Sequence, residues 1–179
     1  MSPFPAPGSA EELDAFARLQ ARLPALFRRV FSDPEAPRTV VIVPGLSVDP
    51  DVLAKVMGSL HYEERQLAML MLLRLPNTRI VFVTSTPLEP AIVDYYLGML
   101  PGVAPDDARR RLVLLSASDA SPTTLTQKVL DRPRLLERIR NAMGDPEDAH
   151  LSCFNVTPCE RDEQPHRLGL RTANHWLWA

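Results

Sequence analysis

The densest cluster of chemically reactive side chains in the sequence is His61-Tyr62-Glu63-Glu64-Arg65. His61 and Glu64 are three residues apart, so on a helix they share one face, where they could form a hydrogen-bonded pair or bind a metal ion. The pattern is also typical of a solvated first helical turn, because the positive end of the helix dipole favours acidic side chains. The solvated turn is the favoured interpretation, and we predict no metal site.

A second candidate site is Pro44-Gly45-Leu46-Ser47, which follows a buried run of β-branched residues at 39–43. Asp49 is a good helix N-cap and Pro50 suits the first helical position, so the stretch predicts a strand, a turn and a helix, as in a βαβ unit. Ligands of open parallel sheets bind beyond the carboxyl ends of the strands, which makes this turn a candidate binding loop. Because both phosphate-binding glycine fingerprints are absent, a structural turn is favoured.

Polar residues in the other turns give weaker signals of the same kind. Ser47 approaches a G-x-S-x-G nucleophile elbow, but Asp49 replaces the final glycine, so a turn hydroxyl or helix cap is the better interpretation. Thr84 and Ser85 follow the second predicted strand, and Asp119 and Ser121 follow the third. Loops at this edge tend to face a ligand, although loop capping explains Asp119 and Ser121 equally well.

Composition and charge exclude several classes of protein. The chain has 179 residues, of which 45% are apolar and 23% charged, with a net charge of -2. Such a chain buries a core, and it lacks the basic excess of a nucleic-acid-binding protein. The start of the chain lacks a signal-peptide pattern, and the longest apolar run, residues 67–73, is too short to span a membrane. We therefore expect a cytoplasmic protein with neither a nucleic-acid nor a membrane partner.

The two cysteines fit a reducing compartment. Cys153 lies in an apolar, strand-like run and is expected to be a core residue. Together with Cys159 and His150 it could be imagined as part of a zinc site, but the spacing matches none of the usual patterns.

Four apolar runs with strand character start near Val40, Ile80, Leu112 and Leu151, at intervals of 40, 32 and 39 residues. Each interval is long enough for a helical crossover, so the sequence predicts an α/β fold: a doubly wound parallel sheet of about four strands in three layers. The segment 60–75 is apolar almost all round from residue 67 onward, and we expect it to be a buried or covered helix. A later helical stripe ends where Gly144 would cap it; the stripe consists of Leu135, Leu136, Ile139 and Met143.

The two ends of the chain differ from this pattern. A helix capped by Ser9 is expected to pack on the outside of the domain, with a kink at Pro24. Thr157-Pro158-Cys159-Glu160 is a capping box that predicts another helix, which Pro165 interrupts. We therefore divide the chain into a leader and helix at 1–37, an α/β domain at 38–162, and an atypical tail at 163–179 for which disorder is one interpretation.

Several separate blocks between residues 39 and 162 carry a family resemblance. They are Val41-Ile42-Val43-Pro44-Gly45-Leu46-Ser47-Val48-Asp49, His61-Tyr62-Glu63-Glu64-Arg65, Val83-Thr84-Ser85-Thr86-Pro87, Pro90-Ala91-Ile92-Val93-Asp94-Tyr95-Tyr96, Leu114-Leu115-Ser116-Ala117-Ser118-Asp119-Ala120-Ser121-Pro122, Arg132-Pro133-Arg134-Leu135-Leu136-Glu137-Arg138-Ile139 and Cys153-Phe154-Asn155. Together these blocks resemble the pre-ATP-grasp domain of bacterial ATP-grasp ligases related to the peptide ligase of pheganomycin biosynthesis.

The resemblance implies a Rossmann-like N-terminal domain whose partner is an ATP-grasp region. In such ligases that region binds ATP between two lobes, holds magnesium on carboxylates and makes an acyl-phosphate that an amine attacks. The chain would then be the leading domain of a carboxylate–amine (peptide) ligase. ATP and magnesium are expected only in a full-length ligase, and we assign no cofactor and no catalytic residue to this chain. Because no ATP-grasp pattern follows residue 162, we expect a truncated ligase without activity of its own.

Two other functions stay open at this stage. The chain could be a stand-alone α/β interaction module that offers its sheet crevice or the segment 67–73 to a separately encoded partner. It could also be a small hydrolase that uses the crevice loops, which the incomplete elbow at Ser47 and the lack of a catalytic-triad order argue against. The sequence predicts no oligomeric state.

Overall fold

The structure of the chain is a computed structural model that describes residues 8–27, 35–46, 50–53, 55, 59–155 and 167–169. The elements are, in chain order, α1 Ala10–Phe27, β1 Arg38–Val43, α2 Pro50–Leu53, α3 Ser59–Arg65, a long 3₁₀ helix Gln66–Arg74, β2 Thr78–Thr84, α4 Pro90–Gly98, α5 Pro105–Arg110, β3 Leu112–Ser116, α6 Leu125–Leu130, α7 Pro133–Met143, a 3₁₀ turn Pro146–Asp148 and β4 Ala149–Cys153.

The four strands form one parallel sheet in the order β3-β2-β1-β4. Val40 of β1 pairs with Ile80 of β2 and with His150 of β4, and Ile80 is also opposite Leu112 of β3. Every residue of β1 is buried, as expected for a central parallel strand that is covered on both faces. The predicted doubly wound α/β fold is confirmed.

Two apolar clusters cover the two faces of the sheet and make the fold three-layered. On one face, Val41, Val81 and Val83 pack with residues of α6 and α7. On the other face, Ile42 and Phe82 pack with the long 3₁₀ helix, α4 and α5. The chain therefore crosses over on one face between β1 and β3, and on the opposite face between β3 and β4.

The segment 60–75 was expected to be a helix buried or covered on all sides, but only one side of it is buried. It is α3 followed by the long 3₁₀ helix, in which Leu67, Leu70 and Leu73 are buried. These residues recur every third position because a 3₁₀ helix has about three residues per turn. The buried stripe is therefore narrow, and Met71 on the opposite side is 46% exposed.

The ends of the chain give a mixed result. The described side chains of α1, Leu13 and Phe16 among them, are exposed or partly exposed. They therefore do not show the expected packing of α1 on the outside of the domain. Its amphipathic pattern indicates an apolar stripe but not what covers it, and Pro24 lies inside one uninterrupted helix.

The Asp49 cap and the capping box at 157–160 lie outside the described residues. Of the tail, the structure describes residues 167–169, where Leu168 is buried in the cluster that contains Val41.

Two further features follow the sequence pattern. The four apolar residues of α7 are buried as predicted, and Gly144, with a φ of 76°, caps the helix by donating its N–H to the carbonyl of Arg140. Among the described residues, no helix combines the length and apolar character needed to cross a bilayer.

Gly45 marks a close approach between the loop after β1 and α6. A Cβ atom added at this position would lie 2.5 Å from Cβ of Leu125, which is too short for two carbon atoms. The contact explains why the turn has no side chain at residue 45. It also shows that the loop after β1 is packed against a helix.

We predict that Gly45→Ala lowers the free energy of unfolding by about 1–3 kcal/mol, because Leu125 or the loop must move. Gly98→Ala is the matched control, since nothing lies within 4 Å of its added Cβ at the end of α4. The control should leave stability unchanged or raise it by up to about 1 kcal/mol. Urea denaturation measures both values, and equal stability of the two variants would contradict the packing of this loop.

Candidate functional site

The loops that follow β2 and β3 lie side by side at the carboxyl edge of the sheet. The N–H of Ala117 donates to the carbonyl of Thr84 over 2.9 Å, and the N–H of Asp119 donates to the carbonyl of Ser85 over 2.8 Å. The parallel pairing of the two strands thus continues beyond their ends. It brings two of the sequence-predicted site residues, Ser85 and Asp119, next to each other.

Glu63 reaches this edge from α3. Its Oε2 accepts the backbone N–H of Ser85 at 2.6 Å, and its Oε1 accepts the Ser85 hydroxyl at 2.7 Å. The residue is 5% exposed, and Ser85 is 1% exposed. The carboxylate therefore fixes the first residue after β2 with two hydrogen bonds away from solvent.

Lys128 of α6 completes the arrangement from the other side. Its Nζ donates to the Ser85 hydroxyl at 3.1 Å and to the carbonyl of Asp119 at 2.9 Å, and the residue is 2% exposed. Arg132 donates to Oδ2 of Asp119 at 2.6 Å and to the carbonyl of Lys128 at 2.9 Å. We call Glu63, Ser85, Asp119, Lys128 and Arg132 the Ser85 network.

Burial and pairing act in opposite directions on the charges of the network. Burial raises the pKa of Glu63, and the hydrogen bonds from Ser85 and the charge of Lys128 oppose that increase. Burial likewise lowers the pKa of Lys128, against the attraction of Asp119 and Glu63. Hydrogen bonds from Ser121, helped by Arg132, lower the pKa of Asp119 to about 2. Asp119 is therefore ionised at neutral pH.

The contact between Ser85 and Lys128 has the residue types of a serine–lysine catalytic pair, but its surroundings do not suit catalysis. The hydroxyl donates to Glu63 and accepts from Lys128, so both of its roles are already used. All three side chains are buried, which leaves no space for a substrate beside the oxygen. The network connects α3, the loops after β2 and β3, and α6.

The structure describes the remaining crevice residues apart from Ser47. Thr84 is buried and its hydroxyl donates to the carbonyl of Thr86 at 2.7 Å. Ser121 is exposed, and its N–H donates to Oδ1 of Asp119 at 2.8 Å, which is the loop capping that the sequence allowed. Pro44 and Gly45 are buried and Leu46 is partly buried. Ser47 lies outside the described residues.

The structure separates the members of the polar cluster His61-Tyr62-Glu63-Glu64-Arg65. Glu63 is turned inward, contrary to the interpretation of a solvated turn, whereas Glu64 is partly exposed and Arg65 is exposed. His61 belongs to α3, and its side chain lies outside the part of the chain that the structure describes. Within the described ranges, no group of three or more His, Cys, Asp or Glu residues is arranged to hold a metal ion.

Sequence reasoning did not assign a role to Lys128 or Arg132. A signal for Lys128 was present, because it lies among the apolar residues of Leu125-Thr126-Gln127-Lys128-Val129-Leu130, three positions after a buried leucine. A charged residue on the buried side of a helix requires a partner of opposite charge. The sequence alone does not identify Glu63, 65 residues earlier, as that partner.

The fold and the network define the class of the protein: a Rossmann-like α/β protein with a buried polar network at the carboxyl edge of its sheet. The chain is 31% identical over 136 residues to the L-propargylglycine--L-glutamate ligase of Streptantibioticus cattleyicolor. The match covers 73% of this chain and 28% of the ligase, so the chain spans little more than a quarter of that relative. No family model matches the chain, and no solved structure matches it significantly. The similarity supports the predicted relationship to a ligase.

We predict that Lys128→Met lowers the free energy of unfolding by about 3–5 kcal/mol at pH 7, because it leaves the Glu63 carboxylate buried without its cation. Lys55→Met is the matched control, since Lys55 is exposed and its change should stay within about 0.5 kcal/mol. Urea denaturation at neutral pH compares the two. If both variants were as stable as the parent chain, Lys128 would not be a buried partner of Glu63.

Proposed function

We propose that the chain forms the pre-ATP-grasp domain of an ATP-dependent carboxylate–amine ligase and does not catalyse ligation on its own. The observation that carries this proposal is the 31% identity, over 73% of the chain, to a ligase of which the match covers 28%. The Rossmann-like sheet is the architecture that the sequence resemblance implies for such a domain. The activity and the substrates of the named ligase belong to that protein.

The site supports a scaffolding role in a larger enzyme. The charged and nucleophilic groups at the carboxyl ends of β2 and β3 contact one another. Glu63, Ser85 and Lys128 are buried, and the partly exposed Asp119 and Arg132 form an ion pair at 2.6 Å. Such a network holds loops in position, and it presents no reactive pair to a substrate. A rigid edge of this kind suits a domain that other parts of an enzyme pack against.

We propose that ATP and magnesium bind outside this domain, and two observations on the described residues support this part of the proposal. The glycine in the loop after β1 is packed closely against Leu125, which disfavours a phosphate-binding cradle at that residue. The acidic side chains are not grouped as ligands for a divalent cation anywhere in the described part of the chain. We therefore assign both groups to the ATP-grasp region of a complete ligase and derive no chemical step from them here.

A domain replacement tests the proposal. The segment of the L-propargylglycine--L-glutamate ligase that matches this chain is replaced by this chain, and ATP-dependent joining of L-propargylglycine and L-glutamate is measured. We expect product from the chimaera, and none from the 179-residue chain alone. The matched control is a chimaera that carries an unrelated parallel α/β domain of similar size, which should be inactive.

Two results would contradict the proposal. One is product formation by the isolated chain, which would make it an enzyme in its own right. The other is a folded chimaera that is no more active than the control with the unrelated domain. Circular dichroism and size-exclusion chromatography establish folding before the comparison is made.

A further inference from the structure

A cavity of about 210 Å³ opens at the other half of the carboxyl edge, away from the Ser85 network. Ile42 and Pro44, from the end of β1, form one wall. Ser152, Cys153 and Phe154, from the end of β4, form the second wall, and the long 3₁₀ helix closes the cavity with Gln66 and Met69.

The cavity lies at the point where the order of the strands reverses. From β1 the chain builds outward to β2 and β3, and then returns to add β4 on the opposite side of β1. Ile42 pairs with Ser152 in the two adjacent parallel strands, and Pro44 and Phe154 directly follow the ends of β1 and β4. The cavity walls are therefore formed where these two strands end. In doubly wound sheets the crevice at such a switch point is where small ligands bind.

The chemistry of the lining restricts what the cavity can hold. The described residues around it carry no charged side chain. Four of them are apolar, and the carboxamide of Gln66 and the hydroxyl of Ser152 supply neutral hydrogen-bonding groups. A charged ligand would lose its hydration without gaining a counter-charge, so the lining favours an uncharged molecule.

Phe154 forms an aromatic wall of the cavity, and its ring is held in place at the surface. It is 47% exposed, yet it packs edge-to-face against Tyr62 of α3 with the ring centroids 4.8 Å apart. That contact fixes an aromatic wall at the mouth of the cavity before any ligand is present. Prepositioned aromatic surface lowers the entropic cost of binding.

We propose that this cavity is a binding site for a small uncharged molecule that has an apolar body, about the size of one substituted ring, and one neutral hydrogen-bonding group. The size follows from the volume, since an apolar protein cavity of about 150 Å³ holds benzene. The polar group would meet Gln66 or Ser152, and the apolar body would lie against Met69 and Phe154. This inference depends on the fold and the cavity, and it is independent of the proposed ligase role.

Binding of para-fluorophenol to the full chain, followed by fluorine NMR, is the test, with para-fluorobenzoate as the charged probe of similar shape. We expect saturable binding of the phenol and binding of the benzoate that is weaker by about tenfold or more. Absence of saturable phenol binding to the folded chain would overturn the proposal. Equal binding of the two probes would overturn the assignment to uncharged molecules.

Two substitutions on the same 3₁₀ helix test whether the phenol binds in the cavity. Met69→Trp fills the cavity and should weaken phenol binding by about tenfold or more. Met71→Trp adds the same ring on the exposed side of the helix and should leave binding unchanged. Equal affinities of the two variants would locate the phenol elsewhere and overturn the proposal.

Discussion

The structure depends on the burial of one carboxylate and one ammonium group on either side of a serine hydroxyl. An ionised group placed alone in an apolar interior is strongly destabilising, so Glu63 and Lys128 are tolerated there because each has a partner. Ser85 connects them, since its hydroxyl donates to Glu63 and accepts from Lys128. Three segments that are distant in sequence, α3, the loop after β2 and α6, must therefore be in place together.

The short helix α6 extends this constraint to the other half of the edge. Lys128 holds the loop after β2, and Leu125, one turn earlier, packs against the loop after β1 at Gly45. The same six-residue helix thus positions the ends of both central strands. The edge at β2 and β3 is filled by polar side chains, whereas the edge at β1 and β4 keeps an open cavity. This division explains why Ser85 and Asp119, the polar residues that the sequence predicts at a ligand crevice, do not line the cavity.

Much of the fold could be predicted, because apolar periodicity and spacing are local properties. The runs at 40, 80, 112 and 151 and the long intervals between them led to parallel strands and to helices on both faces. The 3₁₀ geometry could not be predicted from the segment 60–75, because an apolar segment fits either helix type and packing against the sheet decides. One wall of the open cavity includes Pro44, which the sequence places in a candidate binding loop. The opposite wall could not be predicted, since the position of β4 beside β1 is a long-range property.

The candidate site was predicted in part. Ser85 and Asp119 were singled out because they follow strands, and they do lie together. Glu63 and Glu64 are adjacent glutamates that local sequence does not distinguish, and tertiary packing turns the first inward. The sequence assigns no role to Lys128 because a charged residue in a helix is most often exposed. Arg132 lies between α6 and α7, and the fold determines that Asp119 is its partner.

The most direct test of this account is a double-mutant cycle between Glu63 and Lys128. The free energy of unfolding is measured by urea denaturation for the parent chain, Glu63→Gln, Lys128→Met and the double variant at pH 7. If the two groups stabilise each other's burial across Ser85, the double variant will be more stable than the sum of the single changes predicts, by about 1–3 kcal/mol. Additive effects, within about 0.5 kcal/mol, would contradict the claim that this buried pair holds the carboxyl edge together.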